Sequence, residues 1–143
     1  MVDSARVDSP AVIEAFKADH RRIHEHLAAC EALATQVVPL AARLKQLQPE
    51  LLAHLDAKDA FYGRLVALCR AKGDLASANI ATIFNDNMTM QSQAIRRFFG
   101  TLDNAASPLL TQSFSTMALI IKNRLTTEER AVFPLYLKNL FKP

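Results

Sequence analysis

Apolar and polar positions alternate with a helical rhythm along almost the whole chain. From Ile13 the apolar residues recur as Ile13, Phe16, Ile23, Leu27, Cys30 and Ala34, a three-and-four spacing that predicts one helix face reaching about Val38. Ser9-Pro10 opens it, with serine as N-cap and proline at the first helical position, and Pro39 ends or kinks it. A second helical region begins near Leu40, contains Pro49, and carries the stripe Leu44, Leu47, Leu51, His54, Lys58, Phe61, Leu65 and Leu68. Gly73 is its natural stop, and Asp74 can cap the next helix. That third helix, about Leu75 to Phe99, has the stripe Ser77, Ile80, Phe84, Met88, Gln91, Ile95 and Phe98. Gly100 closes it, a polar connection runs from Thr101 to Ser107, and Ser107-Pro108 opens a fourth helix. The last stripe is Leu110, Phe114, Met117, Ile121, Arg124, Glu128, Val132 and Leu135. No strand or hairpin pattern competes. Four long helices, each with one apolar face and joined by short connections, predict an all-α antiparallel up-down-up-down four-helix bundle. It spans residues 10–143, after a disordered or extended segment at 1–9.

Each predicted helix puts at least one polar residue into its apolar stripe. They are His20 in the first, His54 and Lys58 in the second, Gln91 in the third, and Arg124 and Glu128 in the fourth. Buried polar groups must find partners or bind ions, and the centre of a bundle is where such groups converge. Three readings are open. Lys58 and Arg124 pair with Glu128 while His20, His54 and Gln91 supply hydrogen bonds, with no metal; or one ion is held by His20, His54 and Glu128, a set suited to iron, zinc or manganese; or some of these groups snorkel to solvent and never meet.

Composition narrows the rest. The 143 residues suffice for one core. The net charge of +3 comes from scattered basic residues rather than the stripe of a nucleic-acid protein. No apolar run is long enough to span a bilayer, and Met1 to Pro10 resembles no secretory signal. Cys30 and Cys69 lack metal or redox spacing and read as reduced thiols of a cytoplasmic protein rather than a disulfide. With three glycines there is no nucleotide-binding loop, and no nucleophile elbow is present. The chain therefore reads as a non-enzyme, with its oligomeric state open.

DHRRIHEHL near the start, HLDAKDAFYGRL and EERAVFPLY together resemble the hemerythrin-like HHE family over roughly residues 10–140. That resemblance implies a four-helix bundle with a di-iron centre, in which helices two and four each bring a histidine followed four residues later by a glutamate. The pattern maps onto His54 with Lys58 and onto Arg124 with Glu128. His20 matches the first-helix histidine, and the third-helix position falls at about Gln91 or Ser92. Lys58 and Arg124 depart from the pattern, since neither an ammonium nor a guanidinium has a lone pair to offer a metal. The expectation is a bundle without its di-iron site, the alternative being an iron protein with an unusual ligand set that binds oxygen or nitric oxide. LLAHLDAKDAFYGRL, GDLASANIATIF and NRLTTEERAV are also distantly similar to the Rsd/AlgQ anti-sigma regulators. That second resemblance implies a metal-free bundle with a protein partner, a sigma factor first among candidates, and no direct contact with nucleic acid or membrane.

Overall fold

In the computed structural model, which describes residues 8–102 and 109–143, the chain is a four-helix bundle. Its helices are α1 (Pro10–Glu31), α2 (Val37–Ala71), α3 (Leu75–Gly100) and α4 (Leu109–Thr127). The last runs without a break into a π-helical turn, Glu128–Val132, and then into α5 (Phe133–Leu140). No described helix is long and apolar enough to cross a membrane. The expectations for the N-terminal segment fall largely on residues 1–7, and the Ser107-Pro108 helix start is likewise outside the described residues.

Ser9 holds the extended backbone of an N-cap, with Pro10 at the first position of α1. The first helix stops earlier than its periodicity implies, at Glu31 rather than about Val38. Leu33 and Gln36 instead donate to the carbonyls three residues back, at 2.9 Å each, turning the chain before Pro39. Pro39 thus falls in the first turn of α2, where a backbone N–H would have no helical acceptor to lose. α2 continues through Pro49, held on both sides by buried Leu44, Leu47, Leu51 and Leu55. It ends as expected at Gly73, whose φ of 72° is left-handed. There Asp74 N–H reaches Cys69 O at 3.0 Å and Gly73 N–H reaches Arg70 O at 3.0 Å, a Schellman closure. The Asp74 side chain then caps α3 by accepting from Ser77 N–H at 3.0 Å.

α3 departs most from its predicted face. Ile80 is 46 % exposed, and Phe84 and Gln91 are only partly buried. The buried side is Ser77, Ala78, Ala81, Met88, Ser92 and Ile95. Small residues bring α3 close to α2, and that close approach outweighs the apolarity of Ile80 in setting the rotation of the helix.

The π-turn has a local cause. Pro134 has no N–H for Arg130 O, and its ring crowds that carbonyl; Phe133 N–H bonds back to Glu128 O, five residues earlier. The inserted residue shifts the buried stripe, so Phe133 and Tyr136 are buried where an unbroken α-helix would bury Leu135.

The apolar core divides in two. One cluster joins Ile23, Leu27, Leu51, Leu55, Ile95, Phe114 and Leu125. The other joins Val12, Phe16, Phe61, Leu65, Met88, Phe133 and Tyr136. Between them α1 to α4 and the π-turn contribute polar side chains, which form one layer across the bundle.

Candidate functional site

Glu128 is the centre of that layer and is fully buried. Its Oε1 lies 3.1 Å from His20 Nε2, 3.0 Å from Lys58 Nζ and 4.0 Å from His54 Nε2. Its Oε2 accepts a 2.9 Å hydrogen bond from Tyr62 OH and stands 3.5 Å from Arg124 Nε. The Lys58 ammonium also sits over the Phe133 ring at 4.1 Å and the Phe16 ring at 4.5 Å. These faces stabilise a desolvated cation. Arg124 Nη1 donates to Met88 O at 3.2 Å and to Ser92 Oγ at 2.5 Å, and Ser92 Oγ donates on to Asp59 at 3.3 Å.

Two half-exposed carboxylates complete the layer from outside. His20 Nδ1 lies 3.0 Å from Glu129 Oε2, and His54 Nδ1 lies 3.2 Å from Asp19 Oδ2. The π-turn lets the consecutive Glu128 and Glu129 approach the same imidazole from two sides. Some valence stays open: Arg124 Nε and Nη2, Lys58 Nζ and His54 Nε2 are buried without an aligned hydrogen-bond acceptor in the described residues. Lys58 is therefore held mainly by charge and ring faces.

The electrostatics are a consequence of this packing. Burial alone would raise the Glu128 carboxyl. The Lys58 charge, the hydrogen bond with His20, the nearby His54 imidazole and the Arg124 charge outweigh it and hold Glu128 well below the usual range. Burial also pushes the Lys58 ammonium down to about 8, with Glu128 pulling the other way. The buried Tyr62 phenol is raised by desolvation and by the Glu128 charge, so it remains a donor. Tyr62→Phe removes that donor from a charged acceptor and should lower unfolding free energy by about 1.5–3 kcal/mol, measured by urea denaturation.

The pH dependence has a definite sign. The unfolded chain protonates Glu128 near the ordinary value of about 4.3, while the folded chain resists protonation. Its contribution is complete above that pH and is lost as pH falls towards the folded value. Denaturation series from neutral to acid pH should show stability declining below about 4.3, with a shallower decline in Glu128→Gln.

Five of the six expected residues meet in this layer: His20, His54, Lys58, Arg124 and Glu128. Gln91 does not. The rotation of α3 turns it to a surface groove, and Ser92 takes the place beside Arg124. Tyr62, Asp19 and Glu129 were not expected there. Tyr62 was within reach of sequence reasoning, because His54, Lys58 and Tyr62 continue one i, i+4 ladder. Asp19 and Glu129 each neighbour a stripe residue and carry no periodic signal. Cys30 and Cys69 are both free and buried, in different apolar clusters.

One donor atom each from His20, His54 and Glu128 lie within 4.8 Å of one another. These residues do not fit a di-iron centre. Two of the positions where ligands would stand carry cations without lone pairs, and both Glu128 oxygens already face them. Each unit-charge pair 4 Å apart amounts to about 4 kcal/mol at an effective dielectric of 20, so a dication among Lys58 and Arg124 would meet strong repulsion.

Comparison with curated proteins and with solved structures returns no match. The family model described as hemerythrin HHE cation binding domain matches residues 11–136. A helical bundle agrees with the match, and the chain belongs to the hemerythrin HHE family.

Proposed function

We propose that this chain is a non-enzymatic hemerythrin-like bundle working without a di-iron centre, as a regulatory protein-interaction module. The observation that carries the reading is the Lys58 ammonium 3.0 Å from Glu128 Oε1. A protein cation stands against the carboxylate, where the resemblance would put a bridging glutamate, and Arg124 stands where it would put a histidine. The charge that an ion would bring is supplied by the chain itself. The leading partner is a sigma factor or another RNA-polymerase-associated protein, supported by the similarity of the α2 and α4 segments to anti-sigma regulators and by the retained pair Arg124 and Glu128.

Elemental analysis of the full chain, purified without chelators, tests the first half. The expected result is no stoichiometric iron, zinc or manganese; one equivalent of iron with a visible absorption band overturns it. Binding of the purified chain to a purified primary sigma factor tests the second half. A stable complex supports the partner, and its absence removes the sigma factor as candidate.

The clustering of His20, His54 and Glu128 donors within 4.8 Å favours a second reading, an iron protein with three ligands that binds oxygen or nitric oxide. Under it, His54→Ala and Glu128→Ala would each abolish metal content.

A further inference from the structure

The turn between α2 and α3 and the end of α5 meet at one end of the bundle, and their side chains are unevenly charged. From Arg70 to Ser77 and from Lys138 to Pro143 there are four basic side chains, Arg70, Lys72, Lys138 and Lys142, and one acidic side chain, Asp74. Three of the ammoniums converge. Lys142 Nζ lies 2.7 Å and Lys138 Nζ 3.7 Å from Asp74 Oδ2, and Lys72 Nζ donates to Lys142 O at 2.6 Å. Asp74 is already engaged as the cap of α3, accepting from Ser77 N–H at 3.0 Å and from Ser77 Oγ at 2.6 Å. One engaged carboxylate against three gathered ammoniums leaves positive charge over. The chain neighbours of the Asp74–Lys142 pair are apolar and uncovered, Leu75 being 68 % and Phe141 70 % exposed.

We infer that this end of the bundle docks an acidic segment of a partner protein, which sets a carboxylate beside Lys72, Lys138 and Lys142 and apolar side chains against Leu75 and Phe141. Charge names the occupant. The ammoniums gather about one point between two apolar contacts, which suits one carboxylate-sized group. A membrane presents a plane of headgroups and a nucleic acid a track of phosphates, and neither matches a single convergent point. A second copy offers little to this end, since exposed carboxylates such as Asp56, Glu31 and Glu50 are taken by Arg96, Lys122 and His26. Asp74 and Lys142 O hold the ammoniums in place before a partner arrives, which reduces the ordering cost of long side chains. Complementary charge then steers the encounter and rejects basic partners, while Leu75 and Phe141 give the contact an apolar core. The inference rests on the interaction-module reading, to which it adds a docking end and a partner charge, and it uses no residue of the polar layer.

NMR titration of the full chain with a short synthetic peptide of glutamates and two leucines tests it, beside the same peptide with lysines for glutamates. The salt concentration is about 0.1 M, where exposed charges more than about 10 Å apart are largely screened. The glutamate peptide should shift amide signals at residues 70–75 and 138–142. Arg70→Glu with Lys138→Glu should raise its dissociation constant at least about tenfold, and Phe141→Ser should weaken it as well. Arg21→Glu with Arg97→Glu, the same change in net charge at exposed residues elsewhere, should leave it unchanged, with the helical spectrum kept in every variant. No binding of the glutamate peptide up to millimolar concentration overturns the inference. So does equal binding of the lysine peptide, equal loss in the Arg21 and Arg97 variant, or shifts produced only by phosphatidylserine vesicles. Stoichiometric iron in the elemental analysis would end the metal-free reading and leave the peptide result standing, whereas absent peptide binding in a metal-free chain would strike this inference alone.

Discussion

Replacing Glu128 by alanine should lower unfolding free energy by about 3–5 kcal/mol, and the thermal midpoint by about 10 °C for a domain of this size. The carboxylate is the only buried acid facing Lys58 and Arg124 in the layer, among the described residues. Removing it leaves an ammonium and a guanidinium desolvated with only ring faces, Ser92 and a backbone carbonyl. His20 and Tyr62 lose their acceptor in the same change. The size of the loss measures the penalty of the stranded cations rather than the worth of the pairing. Replacing the whole group (Lys58→Met, Arg124→Leu, Glu128→Leu) should therefore recover most of it, since apolar replacements of buried ion networks are commonly neutral or stabilising. Urea denaturation of the single and triple variants checks both. A Glu128→Ala loss below about 1 kcal/mol, in the range of an exposed ion pair, would mean that Lys58 and Arg124 reach solvent and that the buried network does not exist.

How much of this layer can be read without the fold depends on periodicity. α1, α2 and α4 have apolar stripes of large residues, and the polar interruptions at His20, His54, Lys58, Arg124 and Glu128 stand out against them. The bundle and most of its polar layer are legible for that reason. α3 is not, because its buried side is made of Ser77, Ala78, Ala81 and Ser92 while larger Ile80 and Ile83 face outward. A rule that ranks positions by apolarity rotates this helix wrongly and selects Gln91 over Ser92. The π-turn is the second hidden feature. Pro134 is visible, but reading the stripe at constant period through it places Leu135 in the core instead of Phe133 and Tyr136. Those aromatics matter to the site, because Phe133 supplies the nearest ring to the Lys58 ammonium. What the residues alone do not supply is the outer pair, Asp19 and Glu129, which reach the two histidines only through the relative placement of α1, α2 and the π-turn.

The double change Lys58→Glu with Arg124→His should convert a chain expected to lack metal into one that takes up iron, zinc or manganese. Both positions already lie against Glu128, at 3.0 Å for Lys58 Nζ and 3.5 Å for Arg124 Nε. A carboxylate at 58 and an imidazole at 124 would face the same space as His20, His54 and Glu128. Without metal, the two carboxylates would repel each other in a desolvated layer, and the variant should be less stable than the parent. Saturating metal should reverse that loss by about 2.7 kcal/mol at a hundredfold excess over the dissociation constant, and a chelator should restore the weaker state. Differential scanning calorimetry with and without metal, alongside metal content, separates the outcomes. A variant that is destabilised and indifferent to metal would show that the positions do not converge on one cation. Single substitutions sharpen the result: Lys58→Glu alone leaves the guanidinium in place, and Arg124→His alone leaves the ammonium, so each should bind far less metal than the pair. Recovery in the pair only would place the barrier to metal in the two cations themselves, with the surrounding geometry of His20, His54 and Glu128 still able to serve.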